Sequence, residues 1–167
     1  MSHAEDDILL SIPPEPLVLV VDDELTPRSI VCRMVRTLGY QVRSCSGGRE
    51  ALRFLETHPR EVRLLLADLL MPRMDGGELA ERALDLDPGL RVLLMVGPGD
   101  PHAADLLAGY RDLPCLAKPV TFGALAGKLD ELLGAPSSLP AYPPSMGPPR
   151  TAGSARSRRR TSGRHEV

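Results

Sequence analysis

Hydrophobic residues in the central part of this chain form two kinds of pattern that alternate along the sequence. Five short apolar runs predict strands buried on both faces, and they cover residues 17–21, 41–45, 63–67, 91–96 and 113–117. The stretch after each run spaces its apolar residues so that they fall on one face of a helix. Five strand and helix pairs in this order predict an α/β domain.

Local sequence features mark where the helices begin and end. A side chain that accepts a hydrogen bond from the first helical turn favours a start, and glycine favours an end. The predicted start features are Thr26 with Pro27, Ser46, Gly77, Asp100 with Pro101, and Thr121. Gly39 and Gly134 are predicted stops for the first and last helices.

The order of the elements predicts the topology of the sheet. Right-handed crossovers between parallel strands put helices on both faces and bring the carboxyl ends of all strands to one edge. We therefore expect a doubly wound, five-stranded parallel sheet in the flavodoxin-like order 2-1-3-4-5. Strands 1 and 3 are neighbours in that order, and ligands bind at their carboxyl ends.

Composition and charge divide the chain into three parts. A length of 167 residues with 43% hydrophobic content suits one domain with a sizeable core. The formal net charge is -2, but residues 135–167 contain six arginines and one glutamate, a net +5 that leaves -7 for the remainder. We predict a flexible acidic lead-in at 1–15, a folded domain at 16–134, and a disordered tail rich in Pro, Ser and Arg at 135–167.

The lack of targeting features bears on the location of the protein, and the cysteine spacing bears on the role of its cysteines. No apolar run approaches the roughly 18 residues that a membrane helix needs, and acidic residues 5–7 do not suit a signal peptide. We therefore expect a cytoplasmic protein without membrane contact. Cys32, Cys45 and Cys115 show no C-x-x-C spacing, and we predict that all three are small buried hydrophobic residues.

Acidic residues follow two of the predicted strands. Asp22 and Asp23 follow the first strand in VLVVDDE, and Asp68 follows the third in LLLADLL. Because these strands are neighbours, the three carboxylates should converge, where they would share a proton or bind a cation. Hard oxygen ligands in an open cleft favour Mg²⁺. Lys118, which precedes Pro119 at the end of the fifth strand, adds a positive charge suited to phosphoryl transfer.

Three motifs in this chain resemble the signatures of a known family. VLVVDDE, DLLMPRMDGGELA and LAKP are similar, in order and spacing, to the motifs of the response-regulator receiver domain of CheY-like two-component signalling proteins. The resemblance covers about residues 16–134. It implies these site residues: the phosphoacceptor Asp68, the metal-site acids Asp22 and Asp23, the phosphate-contacting Lys118, and the backbone carbonyl of Leu70 as a metal ligand. Within the acidic pair, it makes Asp23 the direct ligand.

The resemblance also implies a function and its partners. The chain would be a single-domain response regulator that accepts a phosphoryl group on Asp68 from a sensor histidine kinase or a phosphotransfer protein, in a Mg²⁺-dependent reaction. It would not be an enzyme beyond catalysing its own phosphorylation and dephosphorylation. Because no DNA-binding output domain is evident in the sequence, we expect signalling through protein–protein contacts.

Two positions depart from the pattern of this family. The family has Ser or Thr at the end of strand 4, whose hydroxyl bonds the phosphoryl oxygen, and an aromatic residue on strand 5 that turns inward on activation. This chain has Val96 and Cys115 at those positions. Valine has nearly the shape of threonine but lacks the donor. We therefore expect phosphorylation to persist with an atypical, weakened switch.

Two other functions fit parts of the sequence. The missing hydroxyl leaves open a second function, that of a receiver-like interaction module that works without phosphorylation. The motif DDELT loosely resembles the nucleophile motif of haloacid-dehalogenase-like phosphohydrolases, but Glu24 replaces its second aspartate. The Arg-rich tail offers the one route to nucleic acid, and binding there is not expected because no aromatic residue lies among its arginines.

Overall fold

The five strands form a single parallel sheet in the computed structural model, which describes residues 15–98 and 101–134 of the chain. The strand order is 2-1-3-4-5, and all neighbouring strands pair in parallel. The predicted fold class is therefore confirmed. The predictions for the lead-in up to residue 14, for Asp100 and for the tail at 135–167 lie outside the described residues.

Within the described residues, five helices alternate with the five strands. The strands are β1 (Leu17–Val21), β2 (Gln41–Cys45), β3 (Val62–Asp68), β4 (Arg91–Val96) and β5 (Cys115–Ala117). The helices are α1 (Leu25–Thr37), α2 (Gly48–Thr57), α3 (Gly76–Leu86), α4 (Pro101–Gly109) and α5 (Phe122–Leu133). The third strand is longer at both ends than the predicted 63–67. The fifth is shorter than the predicted 113–117 and begins after Pro114, which has no backbone N–H to donate.

The sheet separates two hydrophobic layers. Successive side chains of β3 alternate between them, because neighbouring residues of a strand point to opposite faces. Leu65 and Ala67 pack in the layer that includes α2, α3 and α4, whereas Leu64 and Leu66 pack in the layer that includes α1 and α5. Each fully buried leucine stabilises the fold by about 1.5–3 kcal/mol relative to an exposed one. Burial on both faces explains why the central strands are apolar throughout.

The strand register aligns the carboxyl ends of the central strands. Val21 at the end of β1 pairs with Cys45 on one side and with Ala67 on the other. Asp68, the last residue of β3, pairs with Met95 of β4. The segments that follow β1, β3 and β4 therefore leave the sheet at one edge.

The starts of the first two helices differ from the predictions. The N-cap of α1 is Glu24, so the helix begins before Thr26, and the cap makes no side-chain hydrogen bond. Pro27 fits within the first turn because backbone N–H groups there have no acceptor inside the helix. The N-cap of α2 is the residue after Ser46. Ser46 instead bonds the carboxylate of Glu50 through its backbone N–H and its hydroxyl, at 2.8 and 2.9 Å.

The third and fifth helices begin with side-chain caps. The carboxylate of Asp75 accepts a hydrogen bond from the backbone N–H of Glu78 at 2.8 Å, so α3 begins one residue before the predicted Gly77. Thr121 caps α5 as predicted. The helix ends before Gly134, which has a φ of 77°, in the left-handed region that glycine adopts easily.

The cysteines do not share one environment. Cys32 and Cys45 are buried as predicted, but Cys115 is exposed, so the prediction for Cys115 is wrong. β5 is an edge strand whose three residues are exposed, buried and exposed in turn, with Leu116 buried in the core. Cys115 therefore belongs to the outward face of this strand.

Tyr110 lies against Gly77 at the start of α3. A Cβ atom built at Gly77 would lie 1.9 Å from Cε2 of the Tyr110 ring, so a side chain at this position clashes unless the ring moves. Tyr110 lies between α4 and β5, and Gly77 lies in the first turn of α3. The contact therefore connects the α4–β5 loop with the start of the helix that follows the Asp68 loop.

Candidate functional site

Three carboxylates converge at the edge where β1 and β3 end. One carboxylate oxygen from each of Asp22, Asp23 and Asp68 lies within 4.8 Å of the other two. Asp22 and Asp68 are buried, with 0% and 6% of their surface exposed, whereas Asp23 is exposed. The structure thus brings together the three acids that the sequence predicted to converge, with one of them open to solvent.

Lys118 reaches this acidic cluster from the end of β5. Its ammonium nitrogen Nζ lies 3.0 Å from Oδ1 of Asp68 and 3.2 Å from Oδ2 of Asp22. Its backbone N–H donates a hydrogen bond to the carbonyl oxygen of Val96 at 2.8 Å, and its peptide bond to Pro119 is cis. These contacts hold the lysine beside the end of β4 and its charge between two acids.

Asp22 makes a hydrogen bond through each of its polar groups. Its backbone N–H donates to the carbonyl of Cys45 at 3.4 Å, and its carbonyl accepts from the guanidinium of Arg28. Its Oδ1 accepts from the backbone N–H of Glu24 at 2.9 Å, and its Oδ2 accepts from Lys118. These bonds explain how a carboxylate can be fully buried, because a buried charge needs both a counter-charge and hydrogen bonds.

The cluster carries a net charge of -2 when its three carboxylates and one ammonium are ionised. Burial raises the pKa of Asp68 above its ordinary value, and the charge of Asp22 raises it further, against the opposing effects of Lys118 and of the Leu70 N–H. Burial lowers the pKa of Lys118, but its hydrogen bonds with Asp68 and Asp22 and their charges outweigh this, so the net shift is upward. Burial is thus the main cause of the raised pKa of Asp68, whereas the neighbouring carboxylates are the cause of the raised pKa of Lys118.

The donor set of the cluster suits a hard divalent cation. Three carboxylates supply oxygen ligands, and the exposure of Asp23 leaves room for the water molecules that Mg²⁺ retains in proteins. A charge of +2 would balance the net charge of the four groups. Asp22, Asp23 and Asp68 are therefore the residues that would hold the ion. The N–H of Leu70 bonds the Asp68 carboxylate, so Leu70 lies at the site, and the metal role of its carbonyl stays a prediction.

The two positions that depart from the family pattern lie on neighbouring strands. Val96 is half-buried at the end of β4, opposite Ala117 of β5, and its side chain has no hydroxyl to offer. Cys115 begins β5, and its thiol donates to the carbonyl of Leu113 at 3.4 Å. The effect of these two residues on a switch stays a prediction.

Sequence reasoning did not identify Arg28, which contacts the acidic turn directly. The guanidinium of Arg28 reaches back from α1 to the carbonyl of Asp22, six positions earlier. Nothing in the sequence separates Arg28 from Arg33 and Arg36 on the same helix. The contact becomes visible only when the path of the chain between β1 and α1 is known.

None of the helices described within residues 15–98 and 101–134 is long and apolar enough to cross a membrane. The longest of them, α1, has 13 residues, whereas a spanning helix needs about 20. The described part of the chain thus contains no candidate membrane span.

A family model, curated relatives and solved structures all match this chain to receiver domains. Residues 18–130 match the family model described as response regulator receiver domain. The response regulator receiver protein CpdR of Brucella abortus is 30% identical over 116 residues, which cover 70% of this chain and 95% of CpdR. The sensor kinase CckA of the same organism is also 30% identical over 116 residues, but these make up 12% of its length. A crystal structure of a receiver domain protein from Clostridium thermocellum superposes with a TM-score of 0.63 at 25% identity, covering 70% of this chain and 93% of that one.

Proposed function

This chain belongs to the response regulator receiver domain family of two-component systems, and we propose that Asp68 is its phosphoacceptor. The observation that supports the proposal is the joint position of Asp22, Asp23, Asp68 and Lys118 at one sheet edge. A carboxylate beside a fixed cation and two further acids is suited to accept a phosphoryl group in the presence of Mg²⁺. In this proposal the protein is a signalling component rather than an enzyme with its own substrate.

In the proposed reaction, an oxygen of the Asp68 carboxylate attacks the phosphorus atom of a phosphohistidine. The new P–O bond forms as the P–N bond breaks, and the imidazole leaves with the electron pair of that bond. Asp68 must be ionised to attack, because the carboxylate and not the neutral acid is the nucleophile. The product is an acyl phosphate on the protein.

Lys118 and the metal-site acids have separate roles in the proposed reaction. Lys118 already lies 3.0 Å from Asp68, so its ammonium is placed to contact an oxygen of the transferred phosphoryl group. Asp22 and Asp23 would hold Mg²⁺ together with Asp68. When bound, Mg²⁺ supplies positive charge that neutralises the phosphoryl oxygens. The charge of Lys118 alone leaves the cluster at -2, which supports the need for this ion.

The partners in this proposal follow from the family. CckA is named as a sensor kinase and contains a stretch similar to this chain, which supports a sensor histidine kinase or a phosphotransfer protein as phosphoryl donor. The downstream partner would be a protein that binds the phosphorylated surface. A cytoplasmic location, where such donors present their phosphohistidine, belongs to the same proposal.

A second function is favoured by one specific observation. Val96 at the end of β4 has no hydroxyl to bond a phosphoryl oxygen, so the chain could act as a receiver-like interaction module without phosphorylation. The phosphohydrolase alternative gains no support from the comparisons, because the matched family consists of signalling proteins.

Intact-mass spectrometry after incubation with acetyl phosphate and Mg²⁺ tests the proposal. We expect one added phosphoryl group on the wild type and none on Asp68→Asn. Asp85→Asn, which changes an exposed acid of α3, is the matched control and should be labelled like the wild type. An unlabelled wild type would favour the interaction module, and labelling of Asp68→Asn would refute the assigned residue. In a separate assay, turnover of a generic phosphomonoester would indicate a phosphohydrolase.

A further inference from the structure

The side chain of Arg28 lies outside the acidic cluster and bonds the backbone of the cluster at Asp22. Its guanidinium donates to the carbonyl of Asp22, and its backbone N–H donates to the carbonyl of Glu24 at 3.2 Å. One residue therefore bonds both ends of the three-residue acidic turn, Asp22 to Glu24. The side chain is half-buried, which strengthens a charge-assisted hydrogen bond relative to one in water.

The hydrogen bonds of Arg28 matter for the acidic turn because the middle residue of the turn is exposed. Asp22 is fixed by its own buried hydrogen bonds, but Asp23 is open to solvent and has its carboxylate aimed at the cluster. The direction of the Asp23 side chain therefore depends on the backbone of the turn. Asp22 and Asp23 are joined by one planar peptide group. Rotation of this group would therefore move the Asp23 carboxylate away from Asp68.

We propose that Arg28 is a positioning residue that fixes the Asp22 carbonyl and thereby aims the Asp23 carboxylate at the metal. Its role is indirect, since its described hydrogen bonds go to backbone carbonyls and not to the carboxylate oxygens of the cluster. The inference rests on the proposed function, because it assumes that the three acids bind Mg²⁺. Groups that orient metal ligands in this way typically change metal affinity by about 10- to 100-fold when removed.

Mg²⁺ titration followed by NMR of backbone amides tests the inference. We expect Arg28→Met to weaken binding by about tenfold, because methionine keeps part of the aliphatic stem but loses the guanidinium. Arg28→Lys keeps a charge and Arg28→Gln keeps an N–H donor, so both should bind with intermediate affinity. Arg33→Gln, which removes an exposed arginine of the same helix, should bind like the wild type.

Two further measurements separate positioning from general destabilisation. In the metal-free protein, the amide of Glu24 should exchange with solvent faster in Arg28→Met than in Arg33→Gln, because that amide bonds Oδ1 of Asp22. The rate of phosphorylation should recover at saturating Mg²⁺, since the reacting groups themselves are unchanged. A rate that stays low at saturating Mg²⁺ would mean that Arg28 acts on something other than metal binding and would overturn the inference.

The outcomes distinguish this inference from the proposed function. Wild-type protein that binds no Mg²⁺ would refute the metal site and the inference together. Wild-type protein that binds Mg²⁺, with Arg28→Met binding equally well, would refute the inference alone. Equal weakening by Arg28→Met and Arg33→Gln would show an effect that does not depend on the bond to the Asp22 carbonyl, and it would also overturn the inference.

Discussion

The ammonium of Lys118 lies 3.0 Å from Oδ1 of Asp68, and the pair is largely shielded from water. The same ammonium lies 3.2 Å from Oδ2 of Asp22, so one cation serves two buried acids. One positive charge cannot balance both of these acids together with Asp23. The site therefore combines a fixed cation with unbalanced negative charge, and this combination leads to the predictions that follow.

Removing the charge of Asp68 should change how stability depends on pH. The folded protein holds the Asp68 proton more tightly than the unfolded chain, because the pKa of Asp68 is raised by burial. The contribution of Asp68 to wild-type stability therefore falls as pH rises from the unfolded pKa of about 3.9 through the folded pKa. Asn does not titrate, so the stability of metal-free Asp68→Asn relative to the wild type should increase over this range and then level off. Urea unfolding at a series of pH values measures this relative stability, with Asp85→Asn as control. A stability of Asp68→Asn relative to the wild type that falls with rising pH would contradict the prediction.

Mg²⁺ binding should depend strongly on Asp23. Asp23→Asn removes the exposed carboxylate that lies with Asp22 and Asp68, so it should weaken Mg²⁺ binding by at least about tenfold while leaving the buried pair in place. NMR titration measures the affinity. Glu24→Gln is the matched control because Glu24 is the next acid in the chain but is not part of the cluster. Equal affinity in Asp23→Asn and the wild type would refute the ligand assignment.

The three cysteines should differ in reactivity toward iodoacetamide in the native protein. Cys115 is exposed and should be modified first. Burial, with a smaller contribution from the charge of Glu50, raises the pKa of the Cys45 thiol to about 11, and burial also raises the pKa of Cys32. Both buried thiols should stay unmodified at neutral pH, because the thiolate is the nucleophile. Peptide mapping identifies the modified cysteines, and denatured protein is the control in which all three should be modified. Early modification of Cys45 in the native protein would argue against the described packing.

Phosphorylation should rearrange this chain less than its family pattern implies. We expect the missing hydroxyl at Val96 to remove about 1.5–3 kcal/mol of stabilisation from the phosphorylated state. Amide chemical shifts of α4 and β5 should therefore change only slightly when a beryllofluoride mimic binds. Val96→Thr combined with Cys115→Tyr should enlarge the change, whereas Cys115→Ser provides a control without an aromatic ring. A large rearrangement in the wild type would mean that another donor replaces the hydroxyl.

Gly77 should not tolerate a side chain while Tyr110 remains in place. Gly77→Ala puts a Cβ against the Tyr110 ring and should destabilise the fold by about 1–3 kcal/mol. Tyr110→Ala in the same chain should recover part of this loss, so the two substitutions should not be additive. Gly127→Ala in α5 is the control, because nothing lies within 4 Å of its Cβ position and alanine favours a helix. Chemical denaturation of the wild type, the two single variants, the double variant and the Gly127→Ala control measures these effects. Strict additivity would refute the contact.

Predictions from the sequence were less accurate for single residues such as Ser46 and Cys115. The capping potential of Ser46 predicted a helix start, but its hydroxyl bonds Glu50 instead. Cys115 was predicted to be buried because its neighbours are apolar, but an edge strand is covered less completely than a central one. In both cases the choice depended on which groups lie nearby in three dimensions.

The order of strands and helices could be predicted from the sequence, because the periodicity of apolar residues reflects which faces are buried. The sequence also determined that Asp22 and Asp68 would meet, since parallel strands end at one edge. Only the tertiary structure shows that the Lys118 ammonium contacts Oδ1 of Asp68 and Oδ2 of Asp22 at that edge. Contacts such as those of Arg28 with the Asp22 carbonyl and of Tyr110 with Gly77 depend on loop paths and rotamers. No periodic pattern encodes these, because each is set by packing between segments distant in the chain or by a single turn of the backbone.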